Sequence, residues 1–464
     1  VTGAPLPSTM DVCVVGGGLA GIAAAVRLAD AGARVTLLER RRELGGATYS
    51  FRHGDLVVDT GQHVFLRCYA RYRALLDRLG TGELTRIQPR FAVPVLSPGQ
   101  RPHLLSRARG LPAPAHLLPA LVGYRFLSRR ERLAAVAAAG ALRAVDPDDP
   151  RTDRRSFGSW LAEHGQGPGA VRRLWDLITI AALNTPADDA SLALAARVFR
   201  TGLLDAADSG DIGRPSVALS QLHGDPAHRL LARLGVRVVT GSRVDAVRPD
   251  GAGFRISTAR SATTDAGRAD LSADAVVLAV PHEAAAHLVP AEAAAGHGEW
   301  HRLGRSPIVN VHLRYGAPVT RLAFAAAVNS PVQWVFDRTP EGVRGDQYLV
   351  ISVSAADDVI GVPTGQLIAA YTEAVAGLFP AARRASLREA FVTREPRATF
   401  RQSPGCRTFR PAARTRLPGL ALAGAWTDTG WPDTMEGAVR SGEHAADVVL
   451  AHLASPTRDL EATP

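Results

Sequence analysis

Between residues 11 and 39 the apolar positions change period twice. Val12 to Val15 is an unbroken apolar run of strand length. Ala20, Ala23 to Val26 and Leu28 to Ala31 then give a helix a small apolar body that Gly32 ends, and Val35 to Leu38 returns to strand. Strand, helix and strand in this order predict a parallel βαβ unit. Gly16, Gly18 and Gly21 punctuate its first turn as G-x-G-x-x-G. The first glycine permits the tight turn, the second lets the backbone approach a pyrophosphate, and the third lets helix and strand pack closely. The N–H groups that open the helix, at Leu19 and Ala20, add the positive end of its dipole. Glu39 ends the second strand, 18 residues beyond Gly21. That is close to the offset at which an acid accepts hydrogen bonds from ribose hydroxyls. A carboxylate there repels a 2′-phosphate, so a free adenosine ribose is expected rather than NADP.

Further along, Leu56 to Val58 reads as a strand and Tyr69 to Leu79 as a helix, joined through the loop Asp59-Thr60-Gly61-Gln62-His63. From 86 to 205, Pro-rich extended pieces such as FAVPVLSP give way to Ala/Leu/Arg helices. Residues 116 to 133, HLLPALVGYRFLSRRERL, join aliphatic and aromatic positions to Arg129, Arg130 and Arg132. Such a stretch suits a helix lying on a membrane surface, or equally a domain helix with solvated arginines. Trp175 to Leu183 and Ser191 to Phe199 are apolar enough to line a tunnel or to fill a core. Strands return from Arg237, and residues 300 to 400 alternate IVNVHLRY, QWVFD and YLVISVSA with one helix near 365 to 379. The last apolar segment reads as a strand ending at Gly424, a loop, and a helix from about Thr434. The predicted class is α/β. A Rossmann-type dinucleotide-binding domain is assembled from 10–85, 206–295 and 405–455, and an interleaved α+β substrate domain from 86–205, mostly helical, and 296–404, mostly sheet. Residues 1–9 read as a loose tail.

Composition narrows the chemistry. A chain of 464 residues, 46% hydrophobic, buries a large core. Its formal charge is +10 with no lysine at all, so all 54 basic residues are arginine. They are scattered among Asp and Glu instead of forming an aromatic-interleaved strip, which argues against nucleic acid and is compatible with an anionic membrane surface. Without lysine, Schiff-base catalysis is excluded. Cys13, Cys68 and Cys406 form no C-x-x-C and read as reduced thiols of a cytoplasmic protein. No apolar run reaches the roughly 18 residues of a membrane span, so the expected membrane contact is peripheral, at the inner face of the cell membrane. A second glycine fingerprint is absent from the sequence, so no NAD(P)H site is expected and the electron donor is unknown.

After the acid, Arg41 to Gly46 adds a second glycine pair, Gly45 and Gly46, in an R-x-x-L-G-G pattern. This resembles an extension found in FAD-dependent amine oxidases and carotenoid-type desaturases. Together with the D-T-G-Q-H-V-F loop and W-T-D-T-G-W-P-D-T-M-E-G-A-V-R-S-G, it makes the chain resemble the bacterial squalene-associated FAD-dependent desaturase-like family, within the flavin amine oxidase and phytoene desaturase superfamily. The resemblance implies noncovalent FAD. Gly16, Gly18, Leu19, Ala20, Gly21, Glu39, Arg40, Gly45, Gly46, Ala47, Thr60 and Gly61 would hold it from the N-terminal side, and Val244 would meet adenine through its backbone. Gly424, Ala425, Thr434 and Met435 would close on the ribityl chain and flavin. Ala47 stands where the family usually has Arg, and Ala425 where many relatives have Asp.

The resemblance also implies a hydrophobic isoprenoid substrate. Members assigned to hopanoid biosynthesis are hydroxysqualene dehydroxylases, which reduce hydroxysqualene to squalene. Desaturation of a carotenoid or other polyene, and amine oxidation, are the alternatives within the superfamily. Reductive dehydroxylation needs a hydride from reduced flavin at an allylic carbon and a proton for the departing hydroxyl. His63, Asp428 and Glu436 are the candidate acids.

Overall fold

The structure is a computed structural model and describes residues 10–259, 270–294, 296–340 and 345–455; the N-terminal tail, 1–9, lies outside the described residues. The βαβ unit forms as β1 (Asp11–Val15), α1 (Leu19–Asp30) and β2 (Arg34–Leu38). It sits in a five-stranded parallel sheet ordered 237–239, β2, β1, 275–278, 420–422. Val12 to Val15 are all buried because both faces of the sheet are covered, which is why the run is continuous and does not alternate. Three distant stretches of chain supply its strands. Across the sheet's helical layer, α1 packs against the C-terminal helix, Met435–Leu453. Their closest approach is at Gly442, where a Cβ would stand 2.0 Å from the Ala20 carbonyl oxygen. This contact brings the end of the chain to the glycine turn.

The second sheet has seven strands, ordered Leu387–Thr399, Ser306–Tyr315, Gln347–Ser354, Trp334–Asp337, Phe324–Ala327, Ala92–Leu96 and His103–Ser106. Its last two strands come from the Pro-rich extended pieces near residue 91. Along Ser306–Tyr315 the side chains alternate between faces. Val309, Val311, Leu313 and Tyr315 meet Leu367, Tyr371 and Val375 of the helix Thr364–Leu378. Ser306, Ile308, Asn310 and His312 face the other way. On that side the hairpin Ser50–His53/Leu56–Asp59 packs through Leu56 and Val58 on Tyr348 and Val350, while Asn184, at the end of the helix Asp176–Leu183, bonds the Ser306 carbonyl at 3.0 Å.

The stretch 116–133 is a corner between two helices and not a single surface helix. Leu118–Gly123 carries Pro119 in its first turn, where proline is tolerated. The next helix, Arg129–Leu142, begins at Ser128, which forms a capping box with Glu131. Arg132 turns back to donate to the Leu127 and Val122 carbonyls, both at 2.9 Å, so of the three arginines only Arg129 and Arg130 stay free in solvent.

Candidate active site

Gly16 has φ +107°, and a Cβ on it would lie 2.2 Å from the Ala279 carbonyl oxygen, so only glycine makes this turn. At Gly21 a Cβ would meet the Gly16 oxygen at 1.8 Å, the close helix–strand approach expected of the third glycine. Gly18 differs, since its Cβ position has only the Gly46 Cα, at 3.6 Å, within reach. Gly18 and Gly45 bridge in parallel, and the Gly45 N–H donates to the Gly17 carbonyl at 2.8 Å. The two glycine motifs thus form one open cradle. No side chain caps α1 and no acid lies in its first turn, so the amides of Leu19, Ala20 and Gly21 are left for an anionic ligand.

At the rim of the cradle, buried Glu39 accepts the Gly17 N–H at 2.6 Å and the Arg41 N–H at 2.7 Å. Each carboxylate oxygen keeps acceptor capacity for a ribose hydroxyl. The Glu39 carbonyl accepts the Ser242 N–H at 2.9 Å, which places Val244, at the start of the strand Val244–Asp250, beside this end of the site. Thr60 donates to the Ala47 carbonyl at 2.7 Å, tying the Thr60–Gly61 loop to the second glycine pair. Arg41 donates to the Gly46 carbonyl at 2.7 Å, whereas Arg40 is exposed beyond β2. Gly424 is held by Ser441, whose hydroxyl accepts its N–H at 2.8 Å. Buried Ala425 turns its methyl toward Gly437, and Thr434 caps the C-terminal helix by accepting the Gly437 N–H at 3.1 Å, with Met435 following. Backbone cradle, uncapped helix start and rim carboxylate fit a dinucleotide.

The three candidate acids fare differently. Glu436 is fully buried, and its oxygens accept the Tyr72 N–H at 2.8 Å, the Arg71 N–H at 3.3 Å and the Arg440 Nε–H at 2.6 Å. It caps the helix α2 (Ala70–Leu79) and locks it to the C-terminal helix, so it is a structural tie and not a proton donor. Asp428 pairs with Arg407 at 3.1 Å and accepts the Gly430 N–H at 3.3 Å, which makes it an organiser of its own loop. His63 donates from Nδ1 to the Gly61 carbonyl at 3.0 Å. Burial, the largest influence, pushes its pKa below the usual histidine range. A neutral ring with bare Nε2 accepts a proton; it does not supply one.

The sequence reading missed Asp433. His63, Tyr69 and Asp433 are deeply placed, yet each retains accessible surface. Tyr69 meets Trp431 edge to face, ring centroids 5.8 Å apart, which joins the loop after Gly61 to the C-terminal loop. Asp433 Oδ2 accepts the Phe400 N–H at 3.0 Å. Its own N–H donates to Gln402, whose amide donates to the Leu183 carbonyl at 2.8 Å. Burial pushes the Asp433 carboxyl up to about 6. The nearby helix Asp176–Leu183 is predominantly apolar, with Ile178, Ile180, Ala181 and Ala182 all keeping accessible surface. A pocket of about 540 Å³ separates it from Val328 and Trp334, with Arg172, Arg173, Asp176 and Gln333 among the polar half of its lining. On its other side Leu174, Trp175 and Ile178 line an apolar cavity of about 50 Å³ with Phe199, Leu117 and Leu121. Burial was the missing signal; nothing in the spacing distinguishes Asp433 from Asp428.

The fold and cradle are those of a flavoprotein oxidoreductase. Residues 19–450 match the family model for flavin containing amine oxidoreductases, and the chain belongs to that family. It is 32% identical over 447 residues to the hydroxysqualene dehydroxylase of Rhodopseudomonas palustris, covering 95% of this chain and 98% of that one. It is 26% identical to the zeta-carotene desaturase of Synechocystis, covering 96% and 98%. Among solved structures, putrescine oxidase bound to putrescine superposes with a TM-score of 0.70 at 20% identity over 96% of this chain and 99% of that one, a likeness of fold. The protein is an FAD-dependent oxidoreductase, and FAD is its cofactor.

Proposed function

We propose that this enzyme reduces hydroxysqualene to squalene, a reductive dehydroxylation with hydride from reduced FAD. The observation that carries this reading is the likeness to hydroxysqualene dehydroxylases along almost the whole chain. Apolar side chains along the helices Leu118–Gly123, Asp176–Leu183 and Leu192–Phe199 offer a hydrocarbon contact compatible with a polyisoprenoid. Gly16 to Gly21 would hold the FAD pyrophosphate and Glu39 its adenosine ribose. When bound and reduced, the flavin supplies a hydride. The residues around it hold the hydrocarbon, exclude water and deliver a proton to the leaving oxygen. A polyene desaturase is the second reading, favoured by the likeness to zeta-carotene desaturases over the same span; it removes hydride and needs no acid. Anaerobic mixing of photoreduced enzyme with hydroxysqualene separates the two. Flavin reoxidation with squalene formed supports dehydroxylation, and a reduced flavin left inert by hydroxysqualene rejects it.

The same reading makes the protein a peripheral membrane enzyme at the inner face of the cell membrane. No helix among the described residues is long and apolar enough to cross a membrane. Leu104, Leu111, Leu118, Val122 and Leu133 are exposed within one short span of chain, near Arg129 and Arg130. Directly inside, Leu105, Leu117, Ala120 and Leu121 line the apolar cavity. Leu118 and Val122 face outward and Ala120 and Leu121 inward on one short helix, an arrangement suited to drawing a water-insoluble substrate from lipid.

A further inference from the structure

We infer that Asp433 is the proton donor to the departing hydroxyl, an assignment that rests on the dehydroxylation reading. The residue immediately precedes Thr434, the cap of the C-terminal helix, and so stands between the Gly424 loop and the helix start that close one side of the cofactor cradle. Its carboxyl is fixed from one side only. Oδ2 is held by the Phe400 N–H, and Oδ1 has no hydrogen-bond partner among the described residues. The residue is deep yet keeps accessible surface, so the unpartnered Oδ1 is left free to meet a ligand. The backbone is anchored through Gln402 to the Leu183 carbonyl, at the end of the apolar helix Asp176–Leu183. The donor is therefore held between the Gly424 loop and the end of the helix Asp176–Leu183.

The charged group facing it is Arg410, whose guanidinium is buried and spent on the carbonyls of Ala425, Trp426, Thr427 and Trp431. Phe400 and Gln402 from the strand end, and Leu183 from the helix, bring no charge. Asp428, on the same loop, is paired with Arg407. Desolvation thus outweighs the pull of Arg410, and a carboxyl near 6 is matched to donating a proton around neutral pH.

In the step, the substrate C–O bond breaks and its electron pair leaves with oxygen. The proton of Asp433 joins that oxygen to give water, solvent reprotonates the carboxylate, and the hydride that replaces the lost group on carbon is what reduced FAD would supply.

The test compares wild type with Asp433→Asn, which keeps shape and hydrogen bonding but lacks the acid. In single turnovers of photoreduced holoenzyme, wild type should lose rate as pH rises through about 6. Asp433→Asn should be slower by about a hundredfold or more and flat with pH, with FAD content unchanged and hydroxysqualene binding to the oxidised holoenzyme within about twofold. Infrared difference spectra should show a carboxyl C=O band that titrates near 6 in wild type and is absent from the variant. Asp433→Glu, which restores an acid, should recover part of the rate and the pH dependence. Full activity in Asp433→Asn, or no such titrating band, overturns the assignment while leaving dehydroxylation standing. A wild type that leaves hydroxysqualene intact overturns the reaction, and the donor with it.

Discussion

The Glu436 carboxylate accepts the backbone N–H of Tyr72 at 2.8 Å, joining residues 364 apart in sequence. It occupies the N-terminus of α2, where the free amides and the helix dipole both favour negative charge. Glu436→Ala leaves two inner amides and Arg440 without their acceptor. The expected loss is about 1–3 kcal/mol for unsatisfied buried donors, read as a lower midpoint in urea. A variant as stable as wild type would show that the tie contributes nothing.

Glu39 is held by two N–H donors at the cradle rim, ready for ribose. Glu39→Ala should weaken FAD binding by about 1.5–3 kcal/mol, the worth of a hydrogen bond to a charged group. Titrating apoprotein with FAD measures this directly, and unchanged affinity would remove Glu39 from the site.

Buried neutral histidines make the fold sensitive to acid. His223 accepts or donates at 2.8 Å to Tyr72, His312 lies between Tyr348 and Thr393, and burial lowers both to about 3. Their unfolded pKa, near 6.5, is higher, so between about 3 and 6.5 the unfolded chain binds more protons. Their contribution is complete above 6.5 and is lost as pH falls through that window. Urea midpoints should drop from pH 7 to pH 5, and His223→Gln should lessen the drop; an identical slope in the variant would exclude His223 as a source.

Arg129 and Arg130 flank the exposed apolar patch. Replacing both with glutamate should weaken binding to anionic liposomes and slow turnover of liposome-borne substrate, with FAD content unchanged. Equal liposome binding by wild type and variant would exclude this corner as the anchor.

The βαβ unit and its glycine turn were legible in the sequence because their causes are local: spacing of Gly16, Gly18 and Gly21, period of the apolar positions, and the distance to Glu39. Asp428 and Glu436 were legible as carboxylates near the cofactor but not in their roles. Those depend on the amides and guanidinium groups that meet them, such as Tyr72 for Glu436 and Arg407 for Asp428. Asp433 was hidden for the same reason, since its desolvation arises from Phe400, Gln402 and a helix end that the fold assembles around it. The break at Ser128 was not read from the sequence, because the apolar positions on either side run as one amphipathic stretch until the capping box with Glu131 is formed.

The most direct test of the proposed reaction follows the hydride. Holoenzyme photoreduced in deuterated buffer carries deuterium on the exchangeable flavin N5, and one anaerobic turnover with hydroxysqualene should yield squalene with a single deuterium at the former carbinol carbon while the flavin reoxidises. Squalene without deuterium, or hydroxysqualene recovered intact over reduced flavin, would contradict hydride transfer from FAD.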